Sequence, residues 1–259
     1  MSMGDSSTSP FSGWRITQES YHGNPRYFRV NRTAIFKTIR VENEVRVFEE
    51  ILNELVCVSI ARELEVPVAE SSLGELAGRG LGVYSILLGE EFLNPSDSTQ
   101  HAKIVNYSKL KDLFVFDQFV INDDRRPDHI IVSVDSTNPD LRFLYGIDQG
   151  HTLNGYKGQK WTSSVFGDAE ASSVAPVNFD SGVTNVDEVD PCLRRIESLT
   201  DSEIARLVYN SVITISECKI SREEFVRVEN DAPIITKILV RRKAKIRQII
   251  GTWCEQRRV

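Results

Sequence analysis

Two aspartates, Asp124 and Asp148, flank a segment that the sequence predicts to be a single β-hairpin. Asp124 lies in the string Asn-Asp-Asp-Arg-Arg-Pro-Asp-His, and Asp148 lies in the turn Ile-Asp-Gln-Gly. Kinases place a base-type aspartate on a catalytic loop and, after short strands, a metal-holding aspartate in an Asp-x-Gly turn, because both carboxylates must converge on the same phosphates. The layout therefore indicates phosphoryl transfer.

Each aspartate also has a plainer interpretation. Asp124 is typical of an ordinary polar turn, and Asp148 is typical of a hairpin end at which Gly150 supplies a positive φ. Asp124 lies between the apolar runs Phe-Val-Ile and Ile-Ile-Val, which favours a fixed loop over a mobile one.

Composition bounds the class of protein. The 259 residues are 41% hydrophobic and 26% charged, which predicts one two-lobed domain or two small ones. A net charge of −6 argues against a nucleic-acid binder that works through its overall charge. No apolar run approaches the roughly 20 residues of a membrane span, and residues 1–10 are predicted to be a disordered tail. The chain has four cysteines: Cys57, Cys192, Cys218 and Cys254. They show neither the spacing of metal ligands nor the density of a disulfide-bonded scaffold, which favours a reducing, cytoplasmic location.

The chain before the two aspartates supplies a candidate cation. From Tyr27 to Thr38, two β-type runs flank the polar turn Asn-Arg-Thr, which predicts an antiparallel hairpin. Its second strand carries Lys37, with Ile35 and Ile39 on the same face. A lysine at this position is either a solvated strand residue or an inward-facing phosphate ligand.

A candidate partner for this lysine follows. Residues 42–65 contain no Gly or Pro and precede Pro67, which predicts a helix. At helical spacing the neighbours of Glu54 are mainly apolar, so its carboxylate is predicted to extend from an apolar face. A buried carboxylate requires a partner. Lys37 is the expected one, and a structural ion pair with Arg62 is the alternative.

The middle of the chain predicts strands, a linker and a helix. Residues 68–72 and 83–88 are predicted strands on either side of a glycine-rich turn. The polar residues 94–103 predict a surface loop between two lobes. Ser108 is a predicted N-cap for a helix that runs to Val120.

The last third of the chain is predicted to be mainly helical. Residues 154–185 show no period and predict a loop. Thr200 and Ser221 are predicted helix caps, and Pro233 is predicted to open the last helix. That helix is amphipathic and basic, which is typical of a solvated face. A contact with a partner protein, tRNA or an acidic lipid surface is the alternative.

These motifs resemble those of the HipA-like kinases, bacterial relatives of protein kinases and phosphatidylinositol kinases. The resemblance extends from about Tyr27 to the last helix. It is carried by four strings in the same order: Ile35-Phe36-Lys37, Asn53-Glu54-Leu55 with the following Ala-Arg-Glu-Leu-Glu-Val-Pro-Val, Asn122-Asp123-Asp124-Arg125, and Ile147-Asp148-Gln149-Gly150-His151.

The resemblance implies a role for each candidate residue. Lys37 would hold the α- and β-phosphates of ATP, and Glu54 would orient Lys37 through an ion pair. Asp124 would accept or align the proton of the substrate hydroxyl, and Asp148 would hold Mg²⁺ against the phosphates. The hinge that contacts adenine would lie at Leu87, Leu88 and Gly89.

The sequence departs from the family at two places. Where the family has a second metal ligand, Asn, this chain has His129, preceded by Asp128. Because Mg²⁺ prefers oxygen ligands, either Asp128 takes that role, or one metal is bound weakly, or the chain is a pseudokinase. A glycine-rich phosphate loop is also missing.

The resemblance thus implies an α/β (α+β), bilobal protein-kinase-like fold, with a small β-rich N-terminal lobe over residues 11–93, a linker over 94–103 and a helical C-terminal lobe over 104–259. The expected activity is a magnesium- and ATP-dependent serine/threonine-protein kinase. The alternatives are a pseudokinase that acts as a nucleotide-binding or protein-interaction module, and a lipid or small-molecule kinase. The expected partners are a protein substrate and an antitoxin-like protein, with nucleic acid only through the basic last helix.

Overall fold

The computed structural model describes residues 16–18, 27–30, 34–42, 45–86, 89, 91–134, 138, 140–153, 155 and 160–257. Ten strands lie mainly in its first half: β1 Ile16–Gln18, β2 Tyr27–Val30, β3 Ala34–Thr38, β4 Arg40–Glu42, β5 Val45–Val47, β6 Ser71–Leu76, β7 Gly80–Ile86, β8 Glu91–Phe92, β9 Ile130–Val134 and β10 Arg142–Gly146. Seven helices occur among the described residues: α1 Glu49–Glu63, α2 Ser98–Lys103, α3 Lys109–Val120, α4 Asp168–Ala171, α5 Asp190–Ser198, α6 Asp201–Ser216 and α7 Arg222–Gln256.

Antiparallel sheets form the N-terminal part. Five strands pair in the order β1-β2-β3-β7-β6, and α1 follows β5 in the chain. The predicted hairpin of β2 and β3 is confirmed, with Phe28 opposite Phe36 and Tyr27 opposite Lys37. The C-terminal part is mainly helical. The predicted α/β fold class, with a small β-rich N-terminal part and a mainly helical C-terminal part, is therefore confirmed.

The helix predicted over residues 42–65 begins later than expected. The structure has the two short strands β4 and β5 before it, and α1 starts at Glu49. The β-branched residues Val41, Val45 and Val47 favour extended backbone, and the antiparallel pairing of β4 with β5 stabilises it. The predicted linker is also partly helical. Asp97 caps α2 by accepting hydrogen bonds from the backbone of Thr99 and Gln100.

The last helix is longer than predicted. Ser221 does cap a helix, through reciprocal bonds with Glu224, but that helix continues without a break to Gln256, and Pro233 lies inside it. Proline removes one backbone donor from the ladder. The nearby Ala232 and Ile235 are fully buried, and their packing in the core stabilises the helix where this hydrogen bond is missing. The prediction that Pro233 opens a helix was wrong.

α7 packs on α3 and α6 and passes through the centre of the C-terminal part. Arg242, near its middle, is 0% exposed and donates to the backbone carbonyls of Gln118, Ala171 and Ser173. A single guanidinium thus joins α7, the C-terminal half of α3 and the segment after α4. No helix among the described residues is long and apolar enough to cross a bilayer.

The β9–β10 hairpin connects the two parts of the chain. β9 pairs with β10 on one side and with β8 on the other. The segment after α1 also joins it, because Ala69 N donates to Gly146 O and Gly146 N donates to Pro67 O, both at 2.8 Å. The hairpin that the sequence predicted between the two aspartates is therefore present, and it is anchored to the N-terminal part.

Candidate active site

Lys37 and Asp148 meet at the junction of the two parts. Lys37 is 6% exposed, and its Nζ lies 3.1 Å from Asp148 Oδ1 and 3.5 Å from Glu50 Oε2. The solvated-lysine interpretation of Lys37 is thereby excluded. Gly150 leaves room for this cluster, since a Cβ atom there would lie 2.6 Å from Lys37 Nζ. The ammonium of Lys37 is therefore held between carboxylates that are far apart in the sequence.

Glu54 has different contacts from those expected. Within the described residues, the α1 carboxylate that pairs with Lys37 is that of Glu50, one turn earlier. Glu54 is 3% exposed and accepts hydrogen bonds from Gln149 N at 2.6 Å and from Ser71 Oγ at 3.3 Å. The alternative partner, Arg62, pairs with Glu70 instead. Glu54 thus holds the turn that contains Asp148, and the charge of Lys37 acts on it without an ion pair being formed.

Two consecutive turns of α1 hold the Asp148 turn. Besides Glu54, Asn53 Nδ2 donates to Gly150 O at 3.2 Å and to Thr152 O at 2.8 Å, and Cys57 Sγ lies 3.3 Å from the Thr152 hydroxyl. Asp148 itself has a φ of 56°, a left-handed conformation that non-glycine residues rarely adopt. Such strain persists where surrounding contacts fix the backbone, and α1 supplies those contacts.

Burial makes Glu54 hard to ionise. Desolvation and the negative charge of Asp148 raise its pKa to about 7, against the lowering effect of Lys37 and its hydrogen bonds. Because the folded-state pKa lies above the unfolded-state value of 4.5, the folded state binds the proton more tightly. The resulting stabilisation is complete below the unfolded-state pKa, decreases as the pH rises, and is lost above the folded-state pKa.

We therefore expect Glu54→Gln to change the pH dependence of stability. Glutamine resembles the neutral carboxyl. The free energy of unfolding of the variant, relative to that of the wild type, should therefore increase as the pH rises, by up to roughly 3 kcal/mol above neutral pH. Urea unfolding of both proteins at about pH 5 and about pH 8 measures this. Equal pH dependence in the two proteins would show that Glu54 is already ionised in the folded state.

A buried ion pair between Arg125 and Asp117 fixes the loop that carries Asp124. Arg125 binds Asp117 of α3 through two parallel hydrogen bonds, Nε to Oδ2 at 2.9 Å and Nη2 to Oδ1 at 3.1 Å. Its Nη1 donates to the carbonyls of His129 and Ile147. Arg125 therefore ties the Asp124 loop to the strand that leads to Asp148.

Asn122 completes this anchor. Its Nδ2 donates to Asp117 Oδ1 at 3.0 Å and to Gln149 Oε1 at 3.3 Å, and its Oδ1 accepts from Asp124 N at 3.1 Å. The residue before it, Ile121, ends α3 with a φ of 54°. One amide side chain thus contacts α3, the Asp124 loop and the Asp148 turn.

Asp124 and Asp128 lie on the more exposed side of the loop. Arg126 Nε is 3.9 Å from Asp124 Oδ1 and 3.3 Å from Asp128 Oδ1. His129 contacts both aspartate segments: its carbonyl accepts from Ile147 N at 2.9 Å, and its ring lies against Arg126, which faces Asp124. The convergence of the Asp124 and Asp148 carboxylates on one set of phosphates stays a prediction.

His129 is 8% exposed, and burial lowers the pKa of its imidazole. Its Nε2 lies 2.7 Å from Arg126 Nη2. Its Nδ1 is buried and has no hydrogen-bond partner among the described residues.

The predicted adenine hinge is described only in part. Leu87 and Leu88, like the predicted tail over residues 1–10, lie outside the described residues. Gly89 is packed against β9, since a Cβ there would lie 2.5 Å from Val132 O. Its role at an adenine site stays a prediction.

Asp148 offers a Mg²⁺ ion one carboxylate ligand. Groups of three or more Asp, Glu, His or Cys side chains able to hold a metal are absent from the part of the chain that the structure describes. Kinase-type Mg²⁺ is held by one or two carboxylates together with substrate phosphates, so such a cage is not required. Asp148, a hard oxygen donor beside Lys37, would be the residue that holds it. Asp128 stays a predicted ligand that faces Arg126 here.

No protein-family profile matches the chain, and no curated protein sequence matches it. A Helicobacter pylori proinflammatory kinase, CtkA, is a similar solved structure, with 14% identity, a TM-score of 0.49, and coverage of 96% of this chain and 98% of its own. The second is from Shewanella oneidensis MR-1, the toxin–antitoxin system HipA and HipB with its operator DNA, with 10% identity, a TM-score of 0.45, and coverage of 85% of this chain and 60% of the other. HipA is thus among the similar structures.

Proposed function

We propose that this protein is an ATP-dependent phosphotransferase that transfers the γ-phosphate to a Ser or Thr hydroxyl of a protein substrate, with Mg²⁺ as its metal. The observation that carries the proposal is the buried contact of Lys37 with Asp148, at a turn that α1 holds in a strained conformation. A buried lysine between two carboxylates has little structural value by itself, because desolvation offsets most of the attraction. A role in binding phosphates accounts for its position.

Each side chain has a defined task in this proposal. Lys37 binds the phosphates of ATP, and Glu50 and Asp148 orient its ammonium. Mg²⁺, when bound, neutralises the charge that develops on the phosphates. Asp124, on the exposed side of its loop, aligns the incoming hydroxyl and accepts its proton. Glu54 and Arg125 are positioning residues that hold the two aspartate segments together.

A second candidate is a nucleotide-binding module without turnover. It is favoured by His129, which stands where the related kinases have a second metal ligand, and by the single carboxylate that Asp148 offers to a metal. A lipid or small-molecule kinase is the third candidate, because the resemblance extends to the phosphatidylinositol kinases, which phosphorylate inositol rings.

The test is calorimetric titration with ATP, with and without Mg²⁺, followed by assay of γ-phosphate transfer. We expect Mg²⁺-dependent binding, and we expect Lys37→Met to weaken it by about tenfold or more, since a hydrogen bond to a charged group is worth about 1.5–3 kcal/mol. Lys219→Met, at an exposed lysine between α6 and α7, is the matched control and should bind as the wild type does.

The results separate the candidates. Binding without any phosphate transfer, to water or to protein, would favour the nucleotide-binding module. Transfer to lipid or to a small alcohol but not to protein would favour the third candidate. Absence of ATP binding would contradict all three.

A further inference from the structure

The contact between Arg126 and His129 fixes which imidazole nitrogen carries the proton. Arg126 Nη2 lies 2.7 Å from His129 Nε2. A guanidinium has only N–H donors and no acceptor, so in this contact Nε2 must accept through its lone pair. The imidazole is then neutral, and its proton is on Nδ1.

The guanidinium is itself held in place for this contact. Arg126 Nε faces the carboxylates of Asp128, at 3.3 Å, and Asp124, at 3.9 Å. A different nitrogen, Nη2, is thereby directed at the imidazole. The tautomer of His129 thus follows from ion pairs on its own loop.

The second ring nitrogen of His129, Nδ1, is a donor without an acceptor. Nδ1 is buried, and the described residues provide no hydrogen-bond partner for it. Buried N–H groups are nearly always paired, so an orphan of this kind calls for an explanation. His129 lies close to the proposed phosphate site, because Ile147 N, in the residue before Asp148, donates to His129 O at 2.9 Å.

We propose that His129 is a neutral hydrogen-bond donor whose Nδ1–H binds a phosphoryl oxygen of the nucleotide, and that it is not a metal ligand. A metal ligand must present a free lone pair, but the lone pair of Nε2 is occupied by Arg126 and Nδ1 carries the proton. This inference rests on the proposed function and reverses the metal role that the sequence suggested for His129. It follows that His129 supplies no ligand to a second divalent cation in the nucleotide complex.

The tautomer is tested on the unaltered protein. Long-range ¹H–¹⁵N correlation spectra of ¹⁵N-histidine-labelled protein distinguish protonated from unprotonated ring nitrogens, and the His129→Asn spectrum assigns the signal among the four histidines. We expect Nδ1 protonated and Nε2 bare at neutral pH. A proton on Nε2, or a doubly protonated ring, would overturn the inference.

The ligand is tested with a non-hydrolysable ATP analogue and with adenosine. His129→Phe keeps a flat ring and removes the donor. We expect this variant to bind the ATP analogue about tenfold or more weakly, and adenosine as well as the wild type does, because adenosine has no phosphate. Equal loss for both ligands, or no loss for the analogue, would contradict a phosphate contact.

The metal count is tested with Mn²⁺, which can be followed by electron paramagnetic resonance. The wild type and His129→Phe should bind the same number of Mn²⁺ ions per nucleotide complex, because His129 is not a ligand. Two ions in the wild type and one in the variant would show that His129 is a ligand. If the wild type binds no ATP analogue at all, the proposed function fails together with this inference, whereas analogue binding that His129→Phe leaves unchanged refutes the inference alone.

Discussion

Asp148→Asn is expected to reduce phosphoryl transfer by about 10³-fold. The proposed metal stabilises charge in the transition state by several kcal/mol, and each 1.36 kcal/mol is a factor of ten in rate. Asparagine has nearly the same shape, and the backbone contact of Gln149 N with Glu54 does not involve the altered group. Asparagine also tolerates the left-handed backbone at this position better than most residues do. The loss should therefore be one of chemistry, with little change in the fold.

The measurements are γ-phosphate transfer, Mn²⁺ affinity in the presence of ATP, and urea unfolding. Asp180→Asn is the matched control, because Asp180 is an exposed aspartate that pairs with Arg257 at the surface. It should transfer phosphate as the wild type does. If Asp148→Asn retains both full transfer and full Mn²⁺ affinity, Asp148 is not the residue that holds the metal, and its pair with Lys37 is structural.

Arg125→Met is expected to lower the free energy of unfolding by about 3–5 kcal/mol. The change leaves the carboxylate of Asp117 buried without its bidentate partner, and it also removes the donor to the carbonyls of His129 and Ile147. Such a loss is a large part of the total stability of an ordinary domain, about 5–15 kcal/mol. Urea unfolding measures the effect, and residual activity should fall with it because the Asp124 loop is released.

Two further variants define the origin of this loss. Arg62→Met breaks a pair with Glu70 that is more than half exposed on both sides, so it should cost less than about 1 kcal/mol. Adding Asp117→Leu to Arg125→Met removes the unpaired charge and should recover part of the stability. If the double variant is as unstable as the sum of the two single variants, the two side chains do not interact energetically.

The sequence predicted the strand of Lys37, the hairpin between the aspartates and the caps at Thr200 and Ser221, because each depends on local patterns. It did not predict that Glu50 pairs with Lys37. Both Glu50 and Glu54 lie on α1, and which of them reaches the ammonium depends on how the helix is rotated against β3, which the pattern of one helix does not determine. The short strands β4 and β5, which shorten that helix, were missed for a related reason: strand propensity is a weak local signal.

The residues that anchor the site were not predicted either. Asp117 lies on a mainly apolar stretch of α3, with Leu113 at i−4 and Val120 at i+3, which is the same signal that identified Glu54. The same pattern on α3 predicts a buried carboxylate at Asp117, and a buried carboxylate requires a cation. Arg125, eight residues later, supplies it. Asn122 and Gln149 give no comparable signal, because amides are common in turns and their contacts here join residues 27 positions apart.

The position of Arg242 has a consequence for the protein during its synthesis. Chains emerge from the ribosome N-terminal end first, so Lys37, Asp124 and Asp148 are all exposed to the cell before α7 appears. The carbonyl of Gln118, next to Asp117, receives its guanidinium contact from a residue 124 positions later. We expect a nascent chain that has not yet released α7 to lack a rigid Asp124 loop, and so to remain inactive until α7 has folded onto α3.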